Sequence, residues 1–259
     1  MIGICALCQM TENLQDSHLI PKWAYKRVCA FDPAGAKTPV QIAGGKAVFS
    51  NKQTTQYLLC AQCELRFSER EDYVAKLTEP DNDQIKIFRN ITRLAAPKKV
   101  LASLNEVVNC DHIVYFAASV LWRGCLMTGD CKLGPYEPKF RQYLLGETGF
   151  PPEAALSLGL FEHSPHIDAR GWVSEPASTK AKIGWLHGFL LAGLAFRCWV
   201  GKAVPSEWQQ VSLAGPNPKK YVSIVKPEEC GDFLAAVEMA VSAKHRGKLA
   251  KQGKLDGIA

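Results

Sequence analysis

Apolar and polar positions divide the chain into stretches of different period. Residues 107–127 contain an almost unbroken apolar run, Ile113-Val-Tyr-Phe-Ala-Ala-Ser-Val-Leu-Trp122, long enough for a helix buried in a core. The stretch Pro135-Tyr-Glu-Pro-Lys-Phe-Arg-Gln-Tyr-Leu-Leu145 predicts a second helix, stopped by Gly146. Short apolar stretches at 156–161, 171–173 and 221–225 predict strands, and 233–241 predicts a closing helix. Nearer the N-terminus, 48–59 is strand-like, and after Cys63 residues 64–75 change to helical composition. Residues 31–45 (FDPAGAKTPVQIAGG) read as a loop or loose hairpin, and Glu79-Pro-Asp-Asn-Asp83 as a polar break.

One segment has to be tested against a membrane. Residues 183–200 read IGWLHGFLLAGLAFRCWV, about the minimum length of a span. His187, Arg197 and three glycines interrupt it, and 189–197 suits a strand buried on both faces. The segment is therefore assigned to a core, with no membrane partner. The expected fold class is α+β, divided into a small module over 1–78 and a larger domain of helices packed on short strands over 79–259.

Composition narrows the class without choosing a function. With 47% apolar and 22% charged residues, the 259-residue chain is an ordinary globular one, neither fibrous nor disordered. A formal net charge of +6 tolerates a polyanionic partner but does not demand one. The start, Met1-Ile-Gly-Ile-Cys5, shows no basic region followed by an apolar core, so a cytoplasmic location is expected and the ten cysteines should stay reduced. Six of these, Cys29, Cys110, Cys125, Cys131, Cys198 and Cys230, lack paired spacing and read as buried thiols.

The other four carry chemistry. Cys5-Ala-Leu-Cys8 and Cys60-Ala-Gln-Cys63 each place two sulfurs on one side of a tight knuckle, and two knuckles complete a tetrahedron. One such pair is equally a redox dithiol; two in one short stretch predict zinc. With Cys5, Cys8, Cys60 and Cys63 all bound, no position is left for water, so the Zn²⁺ is structural.

With Ser17-His-Leu-Ile-Pro21 and Leu58-Leu-Cys-Ala-Gln-Cys-Glu64 between and around these pairs, residues 5–75 resemble the HNH endonucleases. In particular they resemble the zinc-knuckle branch of the ββα-metal, treble-clef-like group. The resemblance implies an endonuclease in which His18 is general base and a second ion, Mg²⁺ or Mn²⁺, grips the phosphate with Glu64 and Asp16. Lys22, Lys26 and Arg27 follow the motif and are expected to contact the nucleic-acid backbone. DNA is favoured over RNA, and defence against foreign DNA is the setting implied. The chain departs from the family pattern at three places. Ser17 stands where an acidic ligand is usual, Thr55 or Gln56 where Asn is usual, and Glu64 where His or Asn is usual.

Two other readings stay open. One is a zinc-stabilised module that binds nucleic acid or protein without cutting; the other is a nuclease subunit active only with a partner protein. Glu71 is expected to orient or to form a salt bridge. His163-Ser-Pro-His166 lacks further ligands for a metal, and Asp111-His112 opens an apolar helix, where capping accounts for it.

Overall fold

The computed structural model describes residues 1–30, 39–43, 46–50, 52–95 and 101–231, plus Leu234, Ala235, Glu238, Met239 and Ser242. The basic tail (Lys244, Arg246, Lys248, Lys251, Lys254) and most of the closing helix expected over 233–241 lie outside the described residues. So do 31–38 and 44–45 of the expected loop.

The N-terminal segment is a three-stranded sheet followed by a helix. Strands β1 (Ile2–Ile4) and β2 (Thr11–His18) pair antiparallel. A helix, α1 (Lys22–Ala30), and a small hairpin, β3 (Val40–Ala43) with β4 (Lys46–Phe49), are inserted next. Then β5 (Thr55–Cys60) returns beside β2 and runs directly into α2 (Ala61–Leu77). The result is a ββα arrangement with the second cysteine pair at the strand-to-helix junction.

The β2–β5 ladder carries a bulge. Gln15 faces Leu59 while Asp16 faces Tyr57, so Leu58 has no opposite number. A bulge of this kind bends the strand and re-aims the side chains that follow. Those side chains are Asp16, Ser17 and His18.

The remainder is built on a larger sheet. A minute hairpin, β6 (Pro80–Asp81) with β7 (Gln84–Ile85), occupies the polar break. The strands β8 (Ile91–Arg93), β9 (Leu101–Leu104), β10 (Ala154–Phe161), β11 (Ala177–Lys180), β12 (Trp185–Leu191), β13 (Leu194–Val200) and β14 (Tyr221–Val225) then form a seven-stranded sheet. Their order is β11-β12-β13-β10-β14-β9-β8, antiparallel except for the β10–β14 pair. Helices α3 (Cys110–Met127), α4 (Glu137–Leu145) and the short α5 (Ser206–Val211) accompany the sheet, and the fold is mixed α+β.

Helix α3 is the centre of the packing. Every residue from Ile113 to Gly124 is buried. On one side Phe116 meets Phe189 and Phe196 of the large sheet; on the other Tyr115 and Trp122 meet Phe67 of α2. One continuous cluster of buried residues therefore runs from Cys5 and Leu14 through α2 and α3 to Ile224. The helix is capped by Asn109, whose side chain accepts from the His112 N–H, with Asp111 in the first turn. Gly146, at φ +79°, closes α4 in the left-handed conformation expected of a C-terminal glycine.

Two local expectations are corrected. The single strand expected over 189–197 is a hairpin, with Leu191 paired to Leu194. Ala192 (φ +49°) and Gly193 (φ +90°) form its two-residue turn, and two positive φ values match the strong right-handed twist of such hairpins. The strand expected over 171–173 is a 3-10 turn at Ala169–Gly171 followed by one bridge, Val173 to Leu191. Among the described residues no helix is long and apolar enough to cross a membrane.

Candidate metal centre and catalytic site

Each cysteine pair is positioned by local backbone chemistry. Between β1 and β2 the chain folds back on itself through Cys5 N–H to Met10 O (2.9 Å) and Gln9 N–H to Cys5 O (2.9 Å). Gln9 takes φ +62° to make this turn. Cys60 ends β5 and Cys63 lies in the first turn of α2, so the second pair is set by the strand-to-helix corner. The two knuckles are joined by the Cys60 N–H, which donates to Cys5 Sγ at 3.3 Å across 55 residues of sequence.

The four ligand sulfurs lie within 4.8 Å of one another. Sulfurs at ~2.3 Å from a central ion stand ~3.8 Å apart in a regular tetrahedron; Cys8 Sγ and Cys60 Sγ are separated by 3.9 Å. Cys5, Cys60 and Cys63 are buried and Cys8 partly so. Burial alone would raise the Cys5 thiol, but N–H groups of Cys8, Cys60 and Leu7 reverse this and hold it below its ordinary value. Burial and the neighbouring sulfurs push the Cys63 thiol up. Several sulfurs in one buried shell repel one another as thiolates, and a divalent cation relieves that. The four cysteines could hold a metal ion such as zinc.

The residues proposed for catalysis converge beside this cluster. His18 is the last residue of β2 and stands opposite Thr55 of β5. Leu19 and Ile20, both fully buried, anchor the chain behind it, and the Leu19 N–H donates to Thr54 O at 3.0 Å. The ring is half-buried and feels Lys22, Asp16 and Glu64. Burial first, then Lys22, hold its pKa below the usual value against the pull of the two carboxylates. The imidazole is accordingly neutral at pH 7 and able to accept a proton. Asp16 is exposed; Glu64 comes from the first turn of α2, next to Cys63. Oxygen Oε1 of Glu64 is buried without a hydrogen-bond partner. A carboxylate oxygen left bare in such a place is costly unless a cation or donor meets it.

Ser17, where the resemblance leads one to expect an acidic ligand, is engaged inside the sheet. It is 1% exposed, and its hydroxyl accepts from the Leu59 N–H at 3.3 Å. That N–H is the one next to the unpaired Leu58, so Ser17 stabilises the bulge that aims Asp16 and His18. Thr55 and Gln56 sit opposite His18 and Ser17 on β5 with exposed side chains.

The residue that pattern reading missed is Arg123. It is the lone cation in the apolar run of α3 and is 1% exposed. Nη1 donates to the His18 carbonyl at 2.7 Å, Nη2 to Glu71 Oε1 at 2.6 Å and Nε to Ser119 O at 3.3 Å. Its guanidinium also lies 5.3 Å from the centre of the Phe67 ring. A single side chain thus ties the end of β2 to α2 and α3. Glu71 forms the salt bridge expected of it. The available signal was the isolated arginine itself, since a buried charge is almost always paired.

On α1, Lys22 and Lys26 are exposed one turn apart on the same face. Arg27 faces inward instead. Nη2 donates to Ala75 O at 2.6 Å, Nη1 to Thr78 Oγ1, and the guanidinium lies 4.7 Å from the Trp23 ring centre. These bonds hold α1 against the C-terminal end of α2, where cations are favoured. His163 and His166 are exposed, and among the described residues only the four cysteines gather as a metal-capable group. No protein-family model, curated protein or solved structure matches the chain.

Proposed function

We propose that the chain is a metal-dependent endonuclease of the HNH type, with structural Zn²⁺ on Cys5, Cys8, Cys60 and Cys63 and a second, catalytic divalent ion beside His18. The observation that carries the reading is the convergence of His18 with the bare, buried Oε1 of Glu64 at the corner that the cysteines clamp. Both groups fit a hard cation, because Mg²⁺ and Mn²⁺ prefer carboxylate oxygen and keep several waters. Glu64 and Asp16 would hold the ion, which when bound polarises the scissile phosphate and neutralises developing charge. His18 takes a proton from the attacking water. Arg123 keeps the His18 backbone from shifting, and Lys22 and Lys26 meet neighbouring phosphates. DNA is the favoured substrate. A protein-activated nuclease is the same site with an added requirement.

A specific observation favours one rival, a zinc-stabilised module that binds without cutting. Ser17 is occupied within the strands, which leaves the second ion fewer ligands than the family pattern supplies.

Plasmid nicking separates the two. With Mg²⁺ or Mn²⁺ the wild type is expected to nick supercoiled DNA, and His18→Asn to lose about 10²–10⁴-fold of that rate while keeping its zinc. The acid limb of the rate should have its midpoint below 6.5, because burial and Lys22 lower the His18 pKa and a cation on Asp16 and Glu64 acts in the same direction. Activity then rises as His18 loses its proton and is flat above neutrality. Gel retardation with no nicking under any of these conditions would select the binding module.

A further inference from the structure

A second sulfur site lies at the far end of α3. Cys125, in the last turn of that helix, donates its S–H to Cys131 Sγ at 3.2 Å. Cys131 is fully buried, whereas Cys125 is partly open to solvent. Behind Cys131 stands His187 of β12, also fully buried, with Nδ1 3.9 Å from Cys131 Sγ and 2.7 Å from Ser178 Oγ of β11. The Nε2 atom of His187 is buried without a partner. None of these groups belongs to the site proposed above, and the three do not close into a metal-capable cluster.

We infer that Cys125 and Cys131 form a reversible disulfide site, oxidised by hydroperoxide with Cys131 as the resolving sulfur. The geometry is favourable, since bonding requires the sulfurs to approach by only about 1 Å to reach ~2.05 Å. The pair shares one proton. The Cys131 thiol is lowered to about 5, first by the Cys125 S–H and then, against burial, by His187 and Ser178. At rest Cys125 keeps that proton, because its contact with Cys131 and its burial push its thiol up. Passing the proton to Cys131 puts the thiolate on Cys125, the partly exposed residue of the pair. It attacks hydrogen peroxide, breaks the O–O bond and becomes a sulfenic acid, with hydroxide released. Hydroxide removes the proton from Cys131, whose sulfur then attacks Cys125 and expels a second hydroxide. That hydroxide takes up a proton from solvent. Two thiols and one peroxide give one disulfide and two waters. His187 is a positioning residue, holding Cys131 and Ser178 together.

The test is peroxide titration of the full chain, alkylation of the remaining thiols, and mass spectrometry beside zinc analysis. A Cys125–Cys131 linked peptide is expected at doses that leave the zinc bound, and dithiothreitol should reverse it. In Cys131→Ser, dimedone-trapped Cys125 should rise about tenfold, because the sulfenic acid has lost its resolving thiol. The second variant, Cys125→Ser at the partly exposed position, should keep Cys131 reduced and alkylatable after unfolding. Three results would overturn the inference: oxidation of the zinc cysteines first, overoxidised Cys125 in the wild type without a link, or a Cys131–Cys198 link instead.

Discussion

Replacing Cys60 by serine is expected to give a chain that neither binds zinc nor holds its N-terminal segment folded. Structural zinc in small domains supplies about 10–16 kcal/mol of apparent binding free energy. That is as large as the whole stability of an ordinary domain, about 5–15 kcal/mol. Cys60 is the hinge of the arrangement, because it ends β5, stands at the N-cap of α2 and sends its N–H to Cys5 Sγ. Its sulfur is buried in the same cluster as Leu14, Leu59 and Phe67, so an unpaired serine hydroxyl would be left in an apolar shell. Zinc stoichiometry and thermal unfolding of the purified variant check this. A folded, metal-free Cys60→Ser protein with unchanged melting would contradict it.

Arg123→Ala is the second large effect, a loss of about 3–5 kcal/mol. The variant strands Glu71, whose side chain is 17% exposed, and leaves the His18 carbonyl without its donor. It also removes the guanidinium from the Phe67 face and opens space there in the core. At the entropy of unfolding usual for a chain of this size, the melting temperature should fall by roughly 10 °C. Arg123→Lys should recover only part of this, since an ammonium cannot reach the His18 carbonyl, Glu71 and Ser119 in one planar fork. Glu71→Gln measured alone and with Arg123→Ala gives the coupling. If the double variant is no better than the sum of the singles, the buried pair is not what joins β2 to α2.

Local chemistry was legible wherever it is set by near neighbours. The knuckles follow from Cys-x-x-Cys spacing, α3 from its apolar run, the end of α4 from Gly146, and β14 from the short apolar stretch at Tyr221–Val225. What was not legible depends on partners distant in sequence. Phe189 to Phe196 is apolar throughout and buried, so alternation gives no hint of the turn at Ala192-Gly193. Ser17 looked like a damaged metal ligand because its true partner, the Leu59 N–H, is 42 residues away. Arg27 has the spacing of a phosphate contact, yet folding turns it onto Ala75 and Thr78. The meeting of Cys125, Cys131 and His187 depends on how α3 lies against β12, which no spacing encodes. The convergence of His18 and Glu64 is intermediate, because the motif suggested it and the β2–β5 bulge supplies its geometry.

The whole account depends on one ion joining the turn between β1 and β2 to the β5–α2 corner, and X-ray absorption at the zinc edge examines that ion directly. One zinc per chain, with four sulfur neighbours at ~2.3 Å and no nitrogen or oxygen, is the predicted spectrum. A folded chain containing no zinc, or zinc with a mixed shell, would mean that the four cysteines are not the clamp that positions His18.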